Sequence, residues 1–219
     1  MDFSWNFVWS SFPPLLVGLV VSLAVAVTSL ILSTVGGTAL AILQRADKPI
    51  ILVPIRIYIS FLRGTPTLIL IFLIYFVLPL VTVDIHPVVA GIAALSLNSS
   101  AFVCEIVRGG LSAIPKGQFE ASRALGLPPV LTWRRVILPQ VANVVMPPML
   151  NEFTNVFKAT PLVSLITVVE MMRVANQLIN STYRPIETLF AAGVIYFLVN
   201  FSLSRLVRRL ETGTAVKLA

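Results

Sequence analysis

Between Asp2 and Arg45 the chain carries no charged residue, and this run constrains the fold more than any other feature. Placing a Lys, Arg or Asp at the centre of a bilayer costs about 2.5–3.5 kcal/mol, so uninterrupted apolar runs are the segments that lipid accepts. A spanning helix needs only about 20 such residues, and no water-soluble core requires a run this long. Composition agrees: 57% of residues are apolar and 11% charged, against about 45–50% and about 25% in soluble domains. Backbone polar groups in hydrocarbon must be satisfied within the segment, which a helix does. The expected fold is therefore an all-α integral membrane protein, a single transmembrane domain over 1–219.

The remaining charges mark out five spans, at about 13–43, 64–83, 87–104, 136–157 and 188–204. A broken amphipathic stretch, 50–62, precedes the second. Segment 159–169 is apolar but too short to cross, and reads as a re-entrant or interfacial helix before the fifth span. A sixth full crossing there would have to bury Glu170 and Arg173.

Orientation follows from the basic residues. The first loop, the third loop and the C-terminus hold all sixteen Lys and Arg except Lys158, Arg173 and Arg184. By the positive-inside bias that side is cytoplasmic, with the N-terminus outside and the C-terminus inside. Trp5 and Trp9 suit an outer interfacial anchor. The first twelve residues contain Asp2 but no Lys or Arg, so the basic start of a cleaved signal is missing and the first apolar segment is expected to be retained.

Several function classes fall away. The net charge of +7 belongs to topology signals on a lipid-soluble chain, and no nucleic-acid partner is expected. One cysteine, Cys104, permits no internal disulfide, and one histidine, His86, leaves no His/Cys framework for a metal. His86 itself reads as an exposed loop residue. A membrane enzyme would need paired Asp, His/Asp or Ser/His groups within spans. Instead Asp2, Asp47 and Asp84 all lie outside them. An ion-coupled secondary carrier is the other alternative, but five spans without an evident inverted repeat match it poorly.

The stretch 105–135 is the longest polar segment, more than a membrane anchor needs. Pro115 suits a helix start, 118–125 has helix-forming composition, Gly126 supplies a stop, and Pro128-Pro129 can open another helix. Ala121, Ser122, Ala124 and Gly126 read as a small-residue outward face, with Phe119 and Leu125 as its bulky members. Such a helix seats deeply in a partner groove. Alternatively it lies on lipid headgroups through Lys116, Arg123 and Arg134.

The spacing bears on that choice. Glu120-Ala121-Ser122, three residues to Gly126, then nine to Val136-Ile137-Leu138-Pro139 resembles the E-A-A loop of ABC-importer permease subunits. Ser122 stands for the third Ala and Val136 for the Ile. Phe61-Leu62-Arg63-Gly64-Thr65-Pro66, Glu105-Ile106-Val107-Arg108-Gly109-Gly110 continuing through Ile114-Pro115-Lys116-Gly117-Gln118, Leu138-Pro139-Gln140, and Pro147-Pro148-Met149-Leu150-Asn151-Glu152-Phe153 are similar to blocks of the polar-amino-acid subfamily. The family's K-D-T-S-L reads Lys158-Ala159-Thr160-Pro161-Leu162 here.

The resemblance implies a transport subunit rather than an enzyme, in a bacterial inner membrane. It implies a short coupling helix between the third and fourth spans, with Gly117, Phe119, Glu120, Ala121, Ser122, Ala124, Leu125 and Gly126 as ATPase-contacting residues. No G-x-x-x-x-G-K-[ST] loop occurs in the chain, so ATP and magnesium are expected on separate ABC ATPase subunits; no cofactor of its own is expected. A second permease subunit, identical or related, an extracytoplasmic binding protein, membrane lipid and an amino-acid solute complete the implied partners. Glu120 is read either as a cap of its helix or as the partner of a basic residue on the ATPase.

Polar residues inside spans mark a path or hold helices together. Asn98, Ser99, Asn151, Glu152 and Asn155 are the candidates. Glu152 is the sharpest, since its carboxylate suits an ammonium group, although an ion pair with Lys158 or Arg63 is the alternative. Arg63, beside Gly64-Thr65-Pro66, reads as an interfacial arginine at a helix break.

Overall fold

The structure is a computed structural model that describes residues 3–46, 48–81 and 84–218. Every regular element among them is helical. Three helices are long and apolar enough to cross a bilayer, Trp5–Ala46, Pro87–Ser112 and Pro185–Val207, and two bent helix pairs bring the total to as many as five.

Helix α1, Trp5–Leu43, starts where the Ser4 hydroxyl accepts from the Phe7 amide at 3.4 Å. It runs through Pro13 and Pro14, whereas the expected span began there. Its buried face is largely small: Ser11, Gly18, Ser22, Ala26, Ser29, Ser33, Gly37 and Ala41. Small side chains let helices approach closely when no hydrophobic drive separates protein from lipid. A Cβ on Gly37 would meet the Ser100 carbonyl oxygen at 2.6 Å, and one on Gly18 would meet the Met171 Cα at 2.7 Å.

Within the expected second span, 64–83, a continuous helical run extends from Thr67 to Leu80. Helix α2, Pro49–Gly64, is followed by α3, Thr67–Phe72, with the run to Leu80 turned 108° from α2. The amphipathic stretch 50–62 thus forms a helix of its own, and Gly64-Thr65-Pro66 is the bend that separates it from α3. The break is stitched by Asn98, whose Nδ2 donates to the Leu62 carbonyl at 2.9 Å while the Thr67 hydroxyl donates to its Oδ1 at 3.5 Å. Val83, the expected end of that span, lies outside the described residues.

Helix α4, Pro87–Ser112, takes Pro87 at its first position. His86 is no idle loop residue: its Nδ1 accepts from the Val88 amide at 3.3 Å and caps the helix. The helix continues eight residues past Cys104, into the polar stretch 105–135. It is followed by α5, Lys116–Ala124, and α6, Pro129–Thr132. A π-turn, Trp133–Ile137, leads into α7, Leu138–Ala159. A second π-turn, Leu73–Val77, extends α3. Both π-turns end one residue before a Leu-Pro pair, Leu78-Pro79 and Leu138-Pro139. Proline cannot donate to the carbonyl four residues back. Instead the amide of the preceding leucine reaches five residues, to Leu73 and Trp133.

The 159–169 segment packs into the core. Its Thr160–Ile166 portion is a 3-10 helix continuing α7. Val163, Ile166 and Val168 pack with Val25, Ile71, Ala90, Ala94 and Leu95 in the central cluster. Helix α8, Met171–Thr182, follows, and α9, Pro185–Leu218, closes the chain. The sequence reading missed α8 and placed Glu170 outside the buried core. Glu170 is fully buried. Its Oε1 accepts from the Arg173 amide at 2.8 Å as the α8 cap, while its Oε2 accepts from the Ser22 hydroxyl at 3.1 Å and the Tyr196 hydroxyl at 3.4 Å. Ser22 in turn accepts from the Met171 amide at 3.1 Å. One carboxylate therefore ties α1, α8 and α9.

Candidate solute path and coupling surface

Glu152, on α7, faces Ser99 on α4. The Ser99 hydroxyl donates to Oε1 at 2.8 Å and Asn155 Nδ2 donates to Oε2 at 3.4 Å. Burying a carboxylate is costly unless its oxygens are hydrogen-bonded; these donors leave it buried yet facing open space. No ion pair joins Glu152 to Lys158 or Arg63 among the described residues. Instead Arg63 lies over the Phe102 ring at 5.3 Å. Pro147 and Pro148 precede Glu152 within α7, depriving the carbonyls of Asn143 and Val144 of their usual donors, a condition under which helices bend.

Two cavities meet at Glu152. One, about 370 Å³, is lined by Arg63, Phe102, Glu105, Ile106, Pro148, Asn151, Glu152 and Asn155. The other, about 230 Å³, is lined by Thr67, Leu95, Asn98, Phe102, Glu152, Asn155, Val156 and Ala159. Of the five sequence candidates, Asn98, Asn151, Glu152 and Asn155 reach cavity walls. Ser99 does not; it is buried behind Glu152 and orients it. Phe102 and Thr67, walls of the same space, were missed because neither residue type signals a path. Their common position facing α7 arises only when α3 and α4 pack.

Around α5 the local chemistry folds as its residues dictate. Pro115 opens the helix, and Gly126, at φ +70°, closes it. The Leu127 amide reaches the Ser122 carbonyl and the Gly126 amide the Arg123 carbonyl, a Schellman close that requires the left-handed position. The helix is clamped on one side. Phe119 meets Trp133 edge-on at 5.8 Å, Arg45 lies over the same Trp133 ring at 4.9 Å, and Gln140 donates to Gln118 at 3.2 Å. Ile114, Ile137 and Val141 form the small core beneath.

This packing corrects the outward face. Ser122 is buried and donates to the Gln118 carbonyl, and Phe119 points into the clamp. The exposed members are Gly117, Glu120, Ala121, Ala124, Leu125 and Gly126. Leu125 is 77% exposed. Glu120, a turn inside the helix, does not cap it. No group of three potential metal ligands occurs among the described residues.

A bundle of long apolar helices and bent helix pairs, with a short helix clamped outside it, has the architecture of a membrane transport component. The chain belongs to the family described as the binding-protein-dependent transport system inner membrane component, which matches residues 37–216, and is thus a multi-pass membrane transport component rather than an enzyme.

Among its relatives, the octopine transport system permease protein OccM of Rhizobium meliloti is 38% identical over 220 residues, covering 96% of this chain and 90% of OccM. The nopaline transport system permease protein NocM of Agrobacterium fabrum is 35% identical, covering 92% and 88%. The solved structure of an amino acid ABC transporter with histidines superposes with a TM-score of 0.88 at 31% identity, covering 97% of this chain and 99% of that one. The inward-facing MetNI methionine ABC transporter shares the fold alone, with a TM-score of 0.71 at 20% identity. The chain is an ABC importer permease, and neither a secondary carrier nor a membrane enzyme is favoured. Membership implies ATPase and substrate-binding partners.

Proposed function

We propose that this chain forms half of the translocation path for a polar amino acid and converts ATPase movement into alternating access through α5. One observation carries the reading. Helix α5 follows α4 after three residues and is clamped by the π-turn and the start of α7, and α4 and α7 are the helices that bear Ser99 and Glu152. A displacement of α5 is therefore transmitted along rigid elements to the walls of the solute cavity. Gly117, Glu120, Ala121, Ala124, Leu125 and Gly126 form the docking face, with Phe119 and Ser122 holding the helix from beneath. Glu120 meets a basic residue of the ATPase, which carries ATP and magnesium.

In the cavity, Glu152 receives the solute's ammonium group while Asn98, Asn151 and Asn155 offer hydrogen bonds, and Ser99 fixes the carboxylate. The amino-acid class is supported by similarity to the permease of a solved amino acid ABC transporter. A second permease subunit supplies the other half of the path, and an extracytoplasmic binding protein delivers solute to the outer loops. The basic-residue bias supports an N-terminus outside and a C-terminus in the cytoplasm.

The test is radiolabelled amino-acid uptake and ATP hydrolysis in proteoliposomes holding the permease, its ATPase and its binding protein. Gly126→Trp is expected to abolish uptake and detach the ATPase, while Glu152→Gln weakens uptake with the ATPase still assembled. Normal uptake by Gly126→Trp would remove the coupling role from α5.

A further inference from the structure

A wide cavity of about 820 Å³ is separate in character from the space at Glu152. It opens where the end of α1, the polar face of α2, the end of α4 and the start of α5 converge. Its walls carry Arg45, Arg56, Arg63, Arg108 and Lys116, against one carboxylate among the described residues, Glu105. Glu105 is already engaged by Arg108 in an ion pair. Arg45 and Arg63 spend one face on the rings of Trp133 and Phe102, contacts that leave their charge in place. Arg56 and Lys116 make no ion pair among the described residues. Cations collected at one mouth repel one another unless an anion joins them.

The neighbouring surface indicates which anion. Helix α2 turns Leu52, Arg56, Ser60 and Arg63 into the cavity, and the adjoining face exposes Ile50, Val53, Ile57 and Phe61. A basic mouth directly beside an apolar stripe matches an amphiphile with a phosphate head and hydrocarbon tails. A free inorganic anion has no use for that stripe.

We propose that this cavity binds the phosphate head of an anionic phospholipid, with its acyl chains lying along Ile50, Val53, Ile57 and Phe61. Arg56 and Lys116 are the principal phosphate contacts. Arg63 and Glu105 also line the cavity beside Glu152, so the bound head sits at one mouth of the solute space and neutralises cations there.

The experiment uses the full chain purified in detergent and titrated with spin-labelled phosphatidylglycerol, with phosphatidylcholine, and with inorganic phosphate as competitor. Phosphatidylglycerol is expected to bind selectively over phosphatidylcholine, with phosphate a weak competitor. Near a membrane surface each Lys or Arg contributes about 1 kcal/mol to holding an anionic lipid, so Arg56→Ala/Lys116→Ala should weaken phosphatidylglycerol on the order of thirtyfold. Arg135→Ala/Arg205→Ala removes the same charge elsewhere and should leave it bound. Ile57→Ser should weaken the lipid but not phosphate. Three results overturn the proposal. The first is equal loss in both double variants, which means diffuse charge attraction. The second is phosphate binding as tightly as phosphatidylglycerol, which makes the ligand a free anion. The third is Arg56→Ala/Lys116→Ala binding phosphatidylglycerol as tightly as the parent, which removes the basic mouth as the site of the head.

Discussion

The Ser99 hydroxyl donates to Glu152 Oε1 across 2.8 Å, joining α4 to α7 inside the bundle. A buried hydrogen bond to a charged group contributes about 1.5–3 kcal/mol. Glu152→Gln should therefore raise the apparent KM for amino-acid uptake about tenfold to a hundredfold. Ser99→Ala should raise it less, because Asn155 still holds the other oxygen. Uptake kinetics in proteoliposomes check both; an unchanged KM in Glu152→Gln would exclude the carboxylate as a solute contact.

What could be read from the residues and what could not divide along a physical line. Crossings were legible because insertion cost depends on local composition, and the ends of α5 were legible because Pro115 and Gly126 act through their own backbone chemistry. The helix break at Gly64-Thr65-Pro66 was legible, but the 108° turn between α2 and α3 was not. Gly64-Thr65-Pro66 permits either a helix start or a turn, and the choice rests on Asn98, distant in sequence, bonding to Leu62. Glu170 was misplaced for a similar reason: local rules treat a carboxylate as a sign of water, yet its partners Ser22 and Tyr196 come from opposite ends of the chain. The facing of Phe119 and Ser122 likewise awaited Trp133.

Adjacent glycines on α1 should respond differently to one methyl group. A Cβ at Gly37 would overlap the Ser100 carbonyl oxygen at 2.6 Å, whereas one at Gly36 would sit 3.8 Å from the Ser100 Cβ. Gly37→Ala is expected to destabilise by about 1–3 kcal/mol through overpacking. Gly36→Ala should match or exceed the parent, helped by helix propensity of up to about 1 kcal/mol. Thermal unfolding in detergent reads the difference, and equal midpoints would contradict the close approach of α1 and α4.

At Gly126 the constraint is conformational rather than steric. No heavy atom lies within 4 Å of an added Cβ, so Gly126→Ala should cost only the left-handed penalty of about 1–2 kcal/mol. Gly126→Asn should lose less, as asparagine tolerates that region. Leu125→Asp leaves the helix close intact and should preserve thermal stability while reducing ATPase co-purification. If Leu125→Asp lowers stability as much as Gly126→Ala does, the exposed leucine is a folding residue.

The Glu170 cluster predicts strong coupling. Glu170→Ala removes an α8 cap, worth about 1 kcal/mol, takes the carboxylate acceptor from the Tyr196 hydroxyl and leaves Ser22 with the Gly18 carbonyl alone. The combined loss should be about 2–4 kcal/mol. Ser22→Ala alone should cost less, and the double variant should fall short of the sum, since groups in one network are not additive. A double-mutant cycle by chemical denaturation measures this. Additive losses would mean that the two residues act independently.

The Ser22–Glu170 bond also bears on biogenesis. Its ends are 148 residues apart. At about 5–20 residues per second of synthesis, Ser22 enters the bilayer roughly 7 to 30 s before the ribosome has made its carboxylate. In the meantime it is not left stranded in hydrocarbon, because the same hydroxyl reaches the Gly18 carbonyl one turn back at 3.3 Å. The nascent helix travels with an acceptor of its own and gains a shared one only when the last third of the chain arrives, so insertion and assembly are chemically separate events.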